Sequence, residues 1–156
     1  MKKLFAIVLT FALLMSLSVT AFAANTTGGN ADITTSIEPT YTVTIPADVN
    51  VVFNATETAF GTIEVVASQI HPDKCIKVVL TTDGELNNAI DATKVIPYVI
   101  KDAEGNAFTS ATYLTEGDKT ELSIHITAND WNAAYAGEYS DTVTFTVSYE
   151  NIPSNN

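Results

Sequence analysis

Residues 139–149 read YSDTVTFTVSY. Tyr139, Val143, Phe145, Val147 and Tyr149 fall on one side of a period-two alternation, Ser140, Thr142, Thr144, Thr146 and Ser148 fall on the other, and Asp141 is the one polar break in the apolar series. Successive side chains of a strand point to opposite faces, so this spacing predicts a strand with one packed and one wet face. Full burial of Val143, Phe145 and Val147 would contribute on the order of 5 to 9 kcal/mol before the ordering entropy that opposes it.

The same pattern recurs along the chain. At 120–127, Leu122, Ile124 and Ile126 are expected inward and Glu121, Ser123, His125 and Thr127 outward. Tyr41, Val43 and Ile45 alternate until Pro46, which cannot donate to a ladder. Further strands are expected at 49–53, 61–67, 75–81 and 95–101, with a weaker one at 107–113, and Pro97 marks its strand as an edge or a bulge. DAEGN at 102–106 has the composition of a hairpin turn, and TEGDK at 115–119 leads into the next strand. No window offers a capped apolar stripe of helical period. The expected fold is therefore all-β, an immunoglobulin-like two-sheet sandwich of about seven to nine strands, with a barrel as the alternative.

The chain of 156 residues opens on Met1, Lys2 and Lys3, continues with an apolar run from Leu4 to Val19, and places Ala21 and Ala23 around Phe22. The run is shorter than the roughly 20 residues that span a bilayer and ends in an A-x-A site, the pattern of a cleaved export signal over 1–23. Residues 24–32 (ANTTGGNAD) suit a flexible leader, 33–150 the sandwich domain, and 151–156 (NIPSNN) a disordered tail. A secreted, extracellular or surface-associated protein is implied, with no membrane contact after cleavage. About 133 residues then remain, enough for one self-sufficient core. No Leu-Pro-x-Thr-Gly motif occurs, so any surface attachment is expected to be non-covalent.

Charge excludes one class of partner. All 18 acidic residues follow Ala23, whereas two of the seven lysines precede it, leaving five lysines against eighteen acids and a net charge of about −13. There is no arginine. Such a surface repels phosphate backbones, so nucleic-acid binding is not expected. Cys75 is the single cysteine, so the domain must be stabilised by its core, and a half-buried thiol at a strand start is expected, with an interchain link as the alternative.

No catalytic constellation emerges. The histidines, His71 beside Pro72 and His125 on an outward strand face, adjoin no strained nucleophile turn, and with one cysteine they fit no zinc spacing. DGELNN at 83–88 and DAEGN carry oxygen ligands without the ordered calcium-loop spacing, and turn chemistry accounts for them. No enzyme activity, cofactor or metal is expected. NDWNAAYAGEY at 129–139 does group Trp131, Tyr135 and Tyr139 among small residues and amides, the best candidate for stacking on sugar rings, against a purely packing role for Trp131. The short pattern ITTSI, Ile33, Thr34, Thr35, Ser36 and Ile37, is cut off from the next strand by Glu38 and Pro39; it reads as an ordinary first strand or as a strand donated to a neighbour's sheet.

YTVTIPADV at 41–49 and AGEYSDTVTFTVSY at 136–149 resemble the first and last strands of exported bacterial β-sandwich proteins, among them WxL-type wall-binding domains, spore-coat U-like domains and pilin-type subunits. The most recognisable element is G-x-Y-x-x-x-[VL]-T-[FW], formed by Gly137, Tyr139, Val143, Thr144 and Phe145. Where a WxL-type domain carries Trp-x-Leu, this chain has Phe145, Thr146 and Val147. The resemblance implies adhesion, wall association or fibre assembly without enzymatic activity, with cell-wall polysaccharide, other surface proteins or further copies of the chain as partners.

Overall fold

A computed structural model describes residues 32–153. The expected signal segment 1–23, the expected leader as far as Ala31 and residues 154–156 of the expected tail lie outside the described residues. Asp32 to Pro39 take no regular structure, and Ile33 and Ile37 are 98% and 66% exposed, so ITTSI forms no first strand here.

The described residues are all-β apart from one short helix. Its strands are β1 (Thr40–Thr44), β2 (Glu57–Gln69), β3 (Lys74–Thr81), β4 (Glu85–Asn88), β5 (Val95–Pro97), β6 (Val99–Asp102), β7 (Ser110–Tyr113), β8 (Lys119–His125), β9 (Tyr139–Ser140) and β10 (Thr144–Asn151), with helix α1 (Ala128–Ala133) after β8. They form three antiparallel sheets ordered β1-β2-β8-β6, β10-β3-β7 and β5-β4-β9. The small third sheet is additional to the two expected from the sequence.

Side-chain alternation places the core. Leu122, Ile124 and Ile126 are buried as expected, and they join Ile63 and Val65 of β2, Ile76 and Val78 of β3 and Ile100 of β6 in one apolar cluster. The two larger sheets thus turn their inward faces to a shared core. Pro97 sits in β5, an edge strand of the small sheet, where a missing N–H costs no ladder bond. The 95–101 run is two strands and not one, because the Tyr98 amide donates to the Gly84 carbonyl and redirects the chain between β5 and β6.

Several expectations shift. The 49–53 segment is not a strand; the chain turns at Val52–Ala55, with Asn54 at φ +67°, leaving Val52 and Phe53 64% and 70% exposed. β2 begins at Glu57 and not at Gly61, and its pairing with β8 changes register between Ala59 and Gly61, where Phe60 is the extra residue of a bulge. Pro46 passes close over Gly61, 3.2 Å from where a Cβ there would lie, and this approach requires glycine.

The strand within 139–149, β10, lies at the edge of its sheet. β10 pairs with β3 alone, Phe145 and Val143 are half-buried, and Val147 is 36% exposed, so the fully buried packing implied by alternation is only partly realised. β10 also runs to Asn151, and the Ile152 amide donates to the Asp73 carbonyl at 3.0 Å. Cys75 is fully buried and carries no disulfide; its Sγ lies 3.6 Å from the Asn151 carbonyl, so the thiol is not presented to a second chain.

Candidate functional site

An open cleft of about 1380 Å³ lies where the segment 45–51, helix α1 and the stretch 134–143 converge. Its floor reaches the core at Ile96, Ile100 and Ile124, and its rim carries exposed apolar side chains, Ile45 at 48%, Phe53 at 70% and Tyr135 at 63% exposed. Apolar lining with a few convergent polar groups is the usual make-up of a binding site.

A polar group at one side is Asp141, the single polar break in the alternation of 139–149, in the connection between β9 and β10. Its carboxylate accepts hydrogen bonds from the Tyr98 hydroxyl and, at 3.2 Å, from Thr82 Oγ1, while its second oxygen accepts from the Thr142 amide at 2.6 Å. Burial and the neighbouring carboxylate push the Tyr98 hydroxyl far above the usual tyrosine range. Asp141 is thus placed by chemistry that alternation alone could not reveal, since two of its donors, Tyr98 and Thr82, come from distant segments.

All three aromatic candidates line this cleft, in different roles. Trp131 is buried on α1, donates its indole N–H to the Ala55 carbonyl at 2.8 Å and meets the Phe53 ring edge-on at 5.6 Å between centroids. Tyr139 is half-buried; its hydroxyl donates to the Tyr135 carbonyl at 3.0 Å and accepts from the Tyr135 amide at 3.2 Å. Tyr135 is the exposed ring of the three, with Lys94 Nζ 4.9 Å from its centroid.

Helix α1 is short, but its start is written in the sequence. Thr127 is the N-cap: its Oγ1 accepts from the Asp130 amide at 3.2 Å and donates to the Asp130 carboxylate at 2.5 Å. This is a Ser/Thr-x-x-Asp/Glu box, the signal that could have located the helix.

Other side-chain clusters are accounted for by structure. Asp83 Oδ1 accepts from the Glu85 amide and Asp102 Oδ1 from the Asn106 amide, so both oxygen-rich loops use their acids for turns. No group of three His, Cys, Asp or Glu side chains placed to hold a metal occurs among the described residues. Ser123 Oγ lies 2.9 Å from His125 Nε2, but Glu57 approaches that same nitrogen, at 3.9 Å, and among the described residues no acid orients the ring through Nδ1 as a relay requires. Lys74, at the start of β3, contacts an asparagine of β10, with Nζ 2.5 Å from Asn151 Oδ1. The adjacent Asp73 is exposed, and its hydrogen bond with His71 holds its carboxyl below the usual carboxylate range.

No protein-family model matches this sequence, and no match to it is found among curated proteins. No helix among the described residues is long and apolar enough to cross a membrane.

Proposed function

We propose that this chain is a non-enzymatic, exported bacterial surface or matrix protein of immunoglobulin-like sandwich type, which associates with the cell envelope or with copies of itself in an adhesive or structural role. The carrying observation is the apolar-rimmed cleft with Ile45, Phe53 and Tyr135 exposed at its mouth, a surface that favours contact with a second molecule. Export is supported by the basic start, apolar run and A-x-A site of residues 1–23. Fractionation of the producing cell tests this: a mature chain beginning at Ala24 should appear in the wall or medium fraction, and recovery from the cytosol with residues 1–23 attached would overturn it.

A second reading, a carbohydrate-binding module centred on Trp131, is favoured by the convergence of Trp131, Tyr135 and Tyr139 on one cleft. In it Trp131 holds the wall of the site and Tyr135 supplies the accessible ring. Quenching or a shift of Trp131 fluorescence on adding wall polysaccharide supports this reading, and unchanged emission at saturating polysaccharide counts against it.

A further inference from the structure

The charged side chains that line the cleft are all acidic. Asp48 stands on the 45–51 side, Glu138 and Asp141 stand on the 134–143 side, and no lysine or histidine lies among the lining residues. None of these three acids forms an ion pair with a base among the described residues. Lys94 lies at the rim, but it sits against the Tyr135 ring, 4.9 Å from its centroid. Asp48 and Glu138 are exposed, so their charge is open to a second molecule. Asp141 is half-buried, and its bonds from Tyr98, Thr82 and the Thr142 amide fix its carboxylate at the edge of the trough.

Between the two acidic sides the trough is apolar. Leu86, Ile96 and Val143 line it together with Phe60 and Phe145, whose rings are 5.9 Å apart. A molecule that fills it must offer apolar groups to the floor and positive charge to both rims. The volume, about 1380 Å³, exceeds the roughly 300 to 1,000 Å³ of small-molecule sites, which favours a length of peptide over a single small molecule. A second copy of this chain fits the rim poorly, because residues 24–156 carry five lysines against eighteen acids and no arginine, and like charges repel.

We infer that the cleft binds a cationic amphipathic peptide, with its apolar side chains in the trough and its lysines or arginines against Asp48 on one rim and Glu138 and Asp141 on the other. This rests on the reading of the cleft as a contact surface, and it does not depend on association with the wall. The negative charge spread over the domain draws such a peptide in from a distance, and the rim acids set where it docks.

The test is fluorescence anisotropy of a labelled synthetic peptide of leucine and lysine, arranged with its leucines on one face, titrated with residues 24–156. Asp48→Asn/Glu138→Gln removes two rim charges, and Glu104→Gln/Glu116→Gln removes two exposed charges outside the cleft lining, so both variants have the same net charge. All four residues are exposed, so both variants should melt as the parent does. The rim variant should bind the peptide about tenfold more weakly than the parent, and the control variant within about twofold of it. Exchanging the peptide's lysines for glutamine, or its leucines for serine, should each weaken binding to the parent. Equal loss in the two variants would reduce the attraction to net charge and overturn the site. Equal binding of the glutamine peptide would overturn the cationic assignment while leaving the cleft an apolar contact surface. No binding of either peptide by a chain that still pellets with cell walls would overturn the peptide site and leave wall association standing.

Discussion

The Tyr98 hydroxyl donates to the Asp141 carboxylate, tying the turn between β5 and β6 to the connection between β9 and β10 at the edge of the cleft. Tyr98 is itself buried, so the pair is satisfied only while these two segments stay together.

Tyr98→Phe removes that donor and leaves Asp141 with Thr82 and its neighbour's amide. A loss of about 1 to 3 kcal/mol is expected in urea unfolding, with a change in the exchange rates of 141–145 that a uniform loss of packing would not produce.

The same contact gives a pH dependence. The folded-state pKa of Tyr98 is raised, by burial first and then by Asp141, and that of Tyr113 is raised mainly by burial. A raised pKa stabilises the fold fully below the unfolded tyrosine value of about 10, and that contribution is lost as pH rises above it. Thermal melts should therefore fall steeply above about pH 10, and Tyr98→Phe should flatten the slope.

Gly137 is expected to tolerate no side chain. Its φ is +149°, and an added Cβ would lie 2.5 Å from Asn88 Nδ2. Asn88 is buried and its Oδ1 accepts from the amides of Ile90 and Asp91, so it cannot withdraw without losing both bonds. Gly137→Ala should cost about 2 to 4 kcal/mol by chemical denaturation. Gly105→Ala, at φ +85° with nothing within 4 Å of the added carbon, should cost only the backbone strain, about 1 kcal/mol.

Trp131 and Tyr135 should separate stability from binding. Trp131→Ala should destabilise by about 3 to 5 kcal/mol, since it empties a buried site and leaves the Ala55 carbonyl without its donor. Tyr135→Ala should change stability by less than about 0.5 kcal/mol. If the cleft binds wall polysaccharide, the Tyr135 variant should lose retention on wall material while melting as the parent does.

The strands at 41–44, 75–81 and 120–125 were legible because each carries its own alternation, and so was the inward set Leu122, Ile124 and Ile126. β4 was not, since ELNN presents no apolar alternation and is held by pairing with β5 and β9. Alternation in β10 marked the strand but overstated its burial, because an edge position is set by which strand lies beside it. The alternation also separated Cys75 from the face of Ile76, yet both are buried, since Asn151 and the end of β10 cover the cysteine. Within the site, the aromatic trio was visible as a local cluster, whereas the 45–51 wall and the Tyr98–Asp141 contact join residues far apart in sequence.

The most direct measurement is sedimentation of purified residues 24–156 with isolated bacterial cell walls and in a wall-free tube. Protein is expected in the pellet: with walls only if the envelope is the partner, and in both tubes if the chain assembles with itself. Protein that remains soluble in both, at every concentration tried, would contradict association as the function of this domain.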